Sequence, residues 1–215
     1  MRSIFYTPLE INSIEEYKKY YYKTDLHWNI VGAYQGYQDI ITMLKGDFNI
    51  AAPKTVKKEF CFSAPFYGAV SNDIARSTAY DYICDYELDD IGYYDYFING
   101  EPADFFEKQD YAEGRYPRQY SDYDFYFGNN SFERIYRFDQ ETGLNLLMIV
   151  DSFSNPINMW IASHFDNTVI LDLRNVDYDQ FSLKAYMEEY DIDAVVVMMY
   201  YNNLYYNGFF FLPVE

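Results

Sequence analysis

The chain is short of the residues that most often bind metals: it has two histidines, His27 and His164, and two cysteines, Cys61 and Cys84, in 215 residues. Neither cysteine has a CxxC partner, so no structural zinc site is expected, and no metal or other cofactor is called for. Cys61 and Cys84 can pair, but two cysteines in a chain this long do not make a disulfide framework. Basic residues are also scarce, 16 against 34 acidic ones, for a formal net charge of −18. That deficit argues against nucleic acid, whose phosphates need lysine and arginine neutralisation. It argues equally against a polyanionic substrate, which the protein's own field repels. No window reaches the ~18–20 continuous apolar residues of a membrane helix. The opening MRSIFYTPLEINSIEEYKK lacks the apolar core of a signal peptide. The expectation is either a cytosolic protein or the trimmed product of a longer chain.

Tyrosine and phenylalanine are abundant, at 27 and 18 residues against 2 tryptophans. Tyrosine offers an apolar face for stacking and a hydroxyl for hydrogen bonding. With the acidic charge, this tilts the expected partner toward a neutral carbohydrate. Half the residues are apolar and 23% are charged, a globular composition within the range of one domain.

Residues 12–23 read as a polar, Tyr-rich helix with Asn12 or Ser13 as N-cap. From Asn29 to Leu44, the residues Ile30, Ala33, Tyr34, Tyr37, Ile40, Ile41 and Leu44 recur at helical spacing, and Gly46 sits where a C-cap belongs. Between the two helices, TDLHW reads as a short irregular segment. Residues 57–140 alternate Tyr, Phe and Asp, divided by Gly, Asn and Pro, and predict strands and turns of a partly antiparallel, β-rich insertion. Residues 71–82 predict a helix inside it. The last third changes rhythm. LNLLMIVDSF is an apolar strand, 155–164 a helix, TVILDL a strand, 180–190 a helix and DAVVVMMYYNN a strand. Apolar strands alternating with helices predict a mostly parallel sheet and one α/β domain over residues 1–215.

Reactive groups in open α/β sheets gather beyond the carboxyl ends of the strands. Ser152 lies there, directly after LLMIVD, where it is either a nucleophile near oxyanion-stabilising N–H groups or a helix cap. Asn155, Asn202 and Asn203 occupy similar crevice positions and are candidate donors. Both histidines are candidate bases. His164 follows the helix after Ser152 and is expected to close a helix C-terminus. His27 stands two residues after Asp25, and in an extended segment both point to one side. Asp25 can then hold the imidazole tautomer, with Trp28 shielding the pair and positioning a sugar ring.

The segment YYKTDLHWNIVGAYQGYQDI resembles the signature of the DHHW family, and LLMIVDSFSNPINMWIASHFDNTVILDLR resembles its second block. Phe66–Tyr67–Gly68 and AVVVMMYYNNL are similar to two further family segments, in the family's order. That family is similar to the SGNH-like domains of bacterial polysaccharide O-acetylation proteins, alginate acetylation among them. The resemblance implies an SGNH-like three-layer α/β domain, with Ser152 as nucleophile, His27 as base and Asp25 as orienting acid. It implies a carbohydrate O-acetyltransferase or acetylesterase of the cell envelope, with an acetylated glycan and a membrane acetyl-donor protein as partners. Two departures stand out. Leu26 replaces the first histidine of DHHW, and only 24 residues precede Asp25, so an early strand of the family domain is expected to be missing. The alternative is a glycan-binding or assembly protein that keeps the fold without the chemistry.

Overall fold

A computed structural model describes residues 11–70, 79–103, 123–128, 131–175, 182–200 and 203. The chain packs as two units: residues 1–89 with 109–123, and residues 90–108 with 124–215. Most of the helix expected over residues 71–82 lies outside the described residues.

The first unit is built on the strongest sequence pattern. Helix α1 spans Ile14–Tyr20, and of the two candidate caps it is Ser13 whose hydroxyl accepts from the Glu16 N–H at 3.1 Å. Helix α2 spans Ile30–Lys45 and buries Ile30, Ala33, Tyr37, Ile40, Ile41 and Leu44, the expected stripe less half-buried Tyr34. Asn29 accepts from the N–H groups of Val31 and Gly32 at 3.0 and 3.1 Å, satisfying donors the first turn leaves unpaired. Gly46 closes the helix with a right-handed φ of −65°, not the left-handed conformation that demands glycine.

Strands β1 (Val56–Cys61) and β2 (Cys84–Leu88) pair antiparallel and place Cys61 opposite Cys84, where they form a disulfide. The bridge closes a loop with a sequence separation of 23 residues. Removing it by Cys61→Ser with Cys84→Ser is expected to cost about 3 kcal/mol through the freed unfolded chain. Denaturant titration with and without reductant measures that cost; a paired-serine chain of wild-type stability contradicts it.

The second unit holds a six-stranded sheet in the order β4-β3-β5-β7-β6-β8. Its strands are β3 (Tyr94–Ile98), β4 (Glu101–Pro102), β5 (Glu133–Phe138), β6 (Asn145–Val150), β7 (Asn167–Leu171) and β8 (Ala194–Met198). The sheet is mixed, which corrects the mostly parallel expectation. β6 runs parallel to β7 and β8, while β3–β4, β3–β5 and β5–β7 are antiparallel. The 57–140 region therefore supplies strands to two sheets, because its alternating aromatics suit hairpins wherever they find a partner.

Helix α3 (Tyr123–Phe127) replaces the strand expected of the YDFYF run. The single helix expected over 155–164 divides into a 3₁₀ turn, Ser152–Ser154, and helix α4, Asn158–Ala162. Helix α5 spans Leu183–Glu189 and packs Leu183, Tyr186 and Met187 onto Ile135, Leu147, Ile149, Val169 and Leu171. Alternation puts Arg134, Met148 and Ile170 on the opposite sheet face. Among the described residues no helix is long and apolar enough to cross a membrane.

Candidate active site

The first unit brings Asp25 and His27 together. The His27 Nδ1 lies 2.5 Å from Asp25 Oδ1, and the same oxygen accepts the His27 backbone N–H at 2.9 Å. The segment is a bend, not the extended stretch expected, so the aspartate reaches its partner by turning back on its own chain. The second carboxylate oxygen accepts from Ala69 N–H at 2.8 Å. Burial opposes the charge on Asp25, yet the bonds from the His27 ring, the His27 N–H and Ala69 N–H outweigh it and lower its pKa. An ionised carboxylate fixes the proton on Nδ1 and leaves Nε2 as the basic nitrogen.

Neighbouring residues lock this pair. Thr24 donates its N–H and hydroxyl to Asp81 at 2.9 and 2.7 Å. Gly68 lies so close that a Cβ there would stand 2.4 Å from Asp25 Cβ and from the Thr24 carbonyl oxygen. The Tyr123 ring stacks on the His27 ring with centroids 4.0 Å apart and planes within 14°. Trp28 does not take the expected sugar-facing role. It is 7% exposed and lies along α2, where a Cβ at Gly36 would meet its ring at 2.6 Å. Tyr123, which no sequence signal singled out, is the aromatic that covers the histidine.

A depressed pKa ties stability to pH. The Asp25 contribution is fully present above the unfolded value, about 3.9, and is lost as pH falls through the lower folded value. Asp25→Asn should therefore destabilise most near neutrality, with the gap to wild type closing in acid. Thermal unfolding of both chains from about pH 7 down to about pH 2.5 follows it; a gap that widens in acid contradicts it.

The second unit places Ser152 two residues past the end of β6, the strand between its parallel neighbours β7 and β8. Ser152 is 8% exposed. Capping falls to Asp151, whose Oδ1 accepts from Phe153 N–H at 3.0 Å. The fully buried Asp151 also accepts from Tyr200 N–H at 2.6 Å and from Asn203 Nδ2 at 2.7 Å. Asn203 thus braces the Ser152 turn through Asp151, and Asn202 lies outside the described residues. The amides expected near an oxyanion are engaged in the turn: Ser154 N–H donates to Asp151 O and Asn155 N–H to Ser152 O. His164 is buried after α4, where its N–H donates to Ile161 O as a helix-closing residue does.

Asn155 is held from both ends, accepting from Arg134 Nη1 at 2.8 Å and donating to Gly128 O at 3.2 Å. Arg134 is 2% exposed. Among the described residues it pairs with no carboxylate, and the Asn158 amide, turned to accept, gives Nη1 a second partner at 3.2 Å. Burying a guanidinium is costly, and two hydrogen bonds, through Asn155, connect it to Ser152 O. At the end of β7, Arg174 pairs with buried Asp172 through Nε and Nη2 at 2.9 and 2.6 Å.

No protein-family model matches the sequence, and no curated protein matches it. Solved structures do match. Bacillus cereus PatB1, determined alone and with a sulfonyl adduct, superposes with a TM-score of 0.69 at 22% identity over 88% of this chain. A DHHW family protein from Eubacterium siraeum DSM 15702 superposes at 0.64 with 17% identity over 86% of this chain. The chain has their fold. It spans 63–65% of the PatB1 chains and 60% of the Eubacterium protein.

Proposed function

We propose that this chain transfers acyl groups, with Ser152 as nucleophile, His27 as general base and Asp25 as its orienting acid, on an SGNH-like α/β scaffold. The observation that carries the reading is the Asp25–His27 pair, in which the carboxylate that binds Nδ1 is favoured in its ionised form. Nε2 takes the Ser152 proton as Oγ attacks the ester carbonyl, and the Asp25 carboxylate stabilises the imidazolium that results. The imidazolium then returns its proton to the departing alcohol, leaving an acyl-serine. Water or a sugar hydroxyl, activated by Nε2 in the same way, releases the acyl group. The buried Arg134 charge, acting through Asn155, favours the negative charge that develops on the carbonyl oxygen.

The likeness to PatB1 supports this reading, because a sulfonyl adduct is the kind of group an activated nucleophile captures. The resemblance of the Asp25–Trp28 and Asp151–Phe153 segments to the DHHW signature points to acetyl as the acyl group and a neutral glycan as its carrier or acceptor. A donor protein in the membrane belongs to the transferase form of the reaction. The Cys61–Cys84 disulfide supports an extracytoplasmic site of action, where disulfides persist.

Hydrolysis of p-nitrophenyl acetate by the wild type, with loss in Ser152→Ala and in His27→Ala, is the expected result. Equal turnover in all three contradicts the roles given to Ser152 and His27, whereas no turnover in the wild type leaves glycan binding without chemistry as the function. Isotope-labelled acetyl-enzyme chased with glycans separates the two enzyme forms: release to water marks an esterase, transfer to sugar a transferase.

A further inference from the structure

From a tyrosine cluster of the first unit, we infer that half-buried Tyr67 and exposed Tyr80 and Tyr82 form a stacking subsite for a neutral pyranose ring of the glycan. The inference rests on the proposed function for the chemistry beside it, not for the binding itself.

Tyr80 and Tyr82 flank Asp81 on an extended stretch, so the three side chains alternate. Asp81 turns inward and accepts both Thr24 bonds, which leaves the two tyrosines outward, 43% and 49% exposed. Their rings stand edge to face, 5.5 Å apart at 83°, and Tyr67 joins Tyr80 at 6.1 Å. The result is a corner of aromatic faces with phenolic hydroxyls among them. Apolar ring faces next to hydroxyls match a sugar, whose C–H face stacks while its hydroxyls hydrogen-bond.

The cluster is not a loose surface feature. Phe66 and Asp81 exchange backbone hydrogen bonds at 2.9 Å in both directions. That bridge joins the Tyr80–Tyr82 stretch to the segment in which Gly68 and Ala69 close on Asp25. The same knot therefore holds the orienting acid and presents the tyrosines. A glycan seated on them lies against the segment that carries the Asp25–His27 pair. The occupant is neutral because the chain's net charge of −18 repels uronate or phosphate-bearing polymers.

Titration of the full chain with cellohexaose and chitohexaose, followed by tyrosine fluorescence and calorimetry, tests the subsite. Binding of at least one of them is expected to weaken tenfold or more in Tyr80→Ala/Tyr82→Ala. Tyr80→Phe/Tyr82→Phe, which keeps the faces and drops the hydroxyls, should lose less. Oligogalacturonate should bind more weakly than either neutral sugar. Ser152→Ala must bind like wild type, so loss of turnover there with binding intact separates the subsite from the chemistry. If the alanine pair binds every neutral oligosaccharide as wild type does, or if none binds wild type, the subsite is wrong. Concentration-dependent dimerisation abolished by the alanine pair would also overturn it, in favour of a contact between copies of this chain.

Discussion

Ser152→Ala is expected to lower ester turnover by about four orders of magnitude or more, and His27→Ala by a similar factor. Each removes one half of a single proton-transfer event, so their effects should not add. The double variant should be no slower than the worse single one, within error. Asp25→Asn should retain weak turnover, because the imidazole loses its tautomer control while serine and base remain. Folding controls are direct in this case. Asp151 caps the turn after β6, so the Asp151 bonds do not depend on the Ser152 hydroxyl. Equal stability with lost turnover is the outcome that assigns chemistry to the side chain. Kinetics and denaturant titration on the same four chains supply both numbers.

Gly68→Ala should be the most disruptive single-methyl change in the first unit. Its Cβ would stand 2.4 Å from Asp25 Cβ and the Thr24 carbonyl oxygen, and 2.7 Å from Asp25 Oδ2. Two of those three atoms belong to the backbone or to the root of a side chain, and neither can swing aside. Thr24 is pinned by Asp81 and Asp25 by Ala69, so relief must come from moving the Phe66–Ala69 segment. Overpacking of this kind costs about 1–3 kcal/mol and sometimes more. Here it should also withdraw the Ala69 N–H from Asp25, so turnover per folded molecule falls with stability. Gly46→Ala is the contrast: a right-handed φ and a closest approach of 3.2 Å to Met43 O predict a change within about 1 kcal/mol. Similar behaviour of the two variants contradicts the close packing around Asp25.

The parts legible in the sequence were those governed by local rules. The α2 stripe and the apolar strands β6, β7 and β8 follow from periodicity, and the structure has them. Asp25 and His27 were read as facing partners. They are, although a bend and not an extended strand brings them together. Strand direction was less legible. β5 carries the same alternating aromatic pattern whether it pairs within an insertion or, as here, with β7. The pairing is decided by distant partners that no window of sequence contains.

The supporting residues were the least visible. Nothing local distinguishes Tyr123, which stacks on His27 from almost a hundred positions away, from the other aromatics of its run. Asp151 had a signal that was available: a carboxylate directly after five buried strand residues must find donors, and it finds three. Trp28, a tryptophan beside a histidine, is buried along α2. The glycines at positions 32 and 36, four apart on α2, were the clue to where its ring packs.

The central claim is that His27 activates Ser152, and one measurement tests it most directly. The full chain is treated with phenylmethylsulfonyl fluoride and the modified residue is mapped by peptide mass spectrometry as a function of time. The account predicts a single sulfonyl adduct on Ser152, formed at least about a hundredfold more slowly in His27→Ala. Labelling elsewhere, or labelling of Ser152 at the same rate without His27, would contradict it.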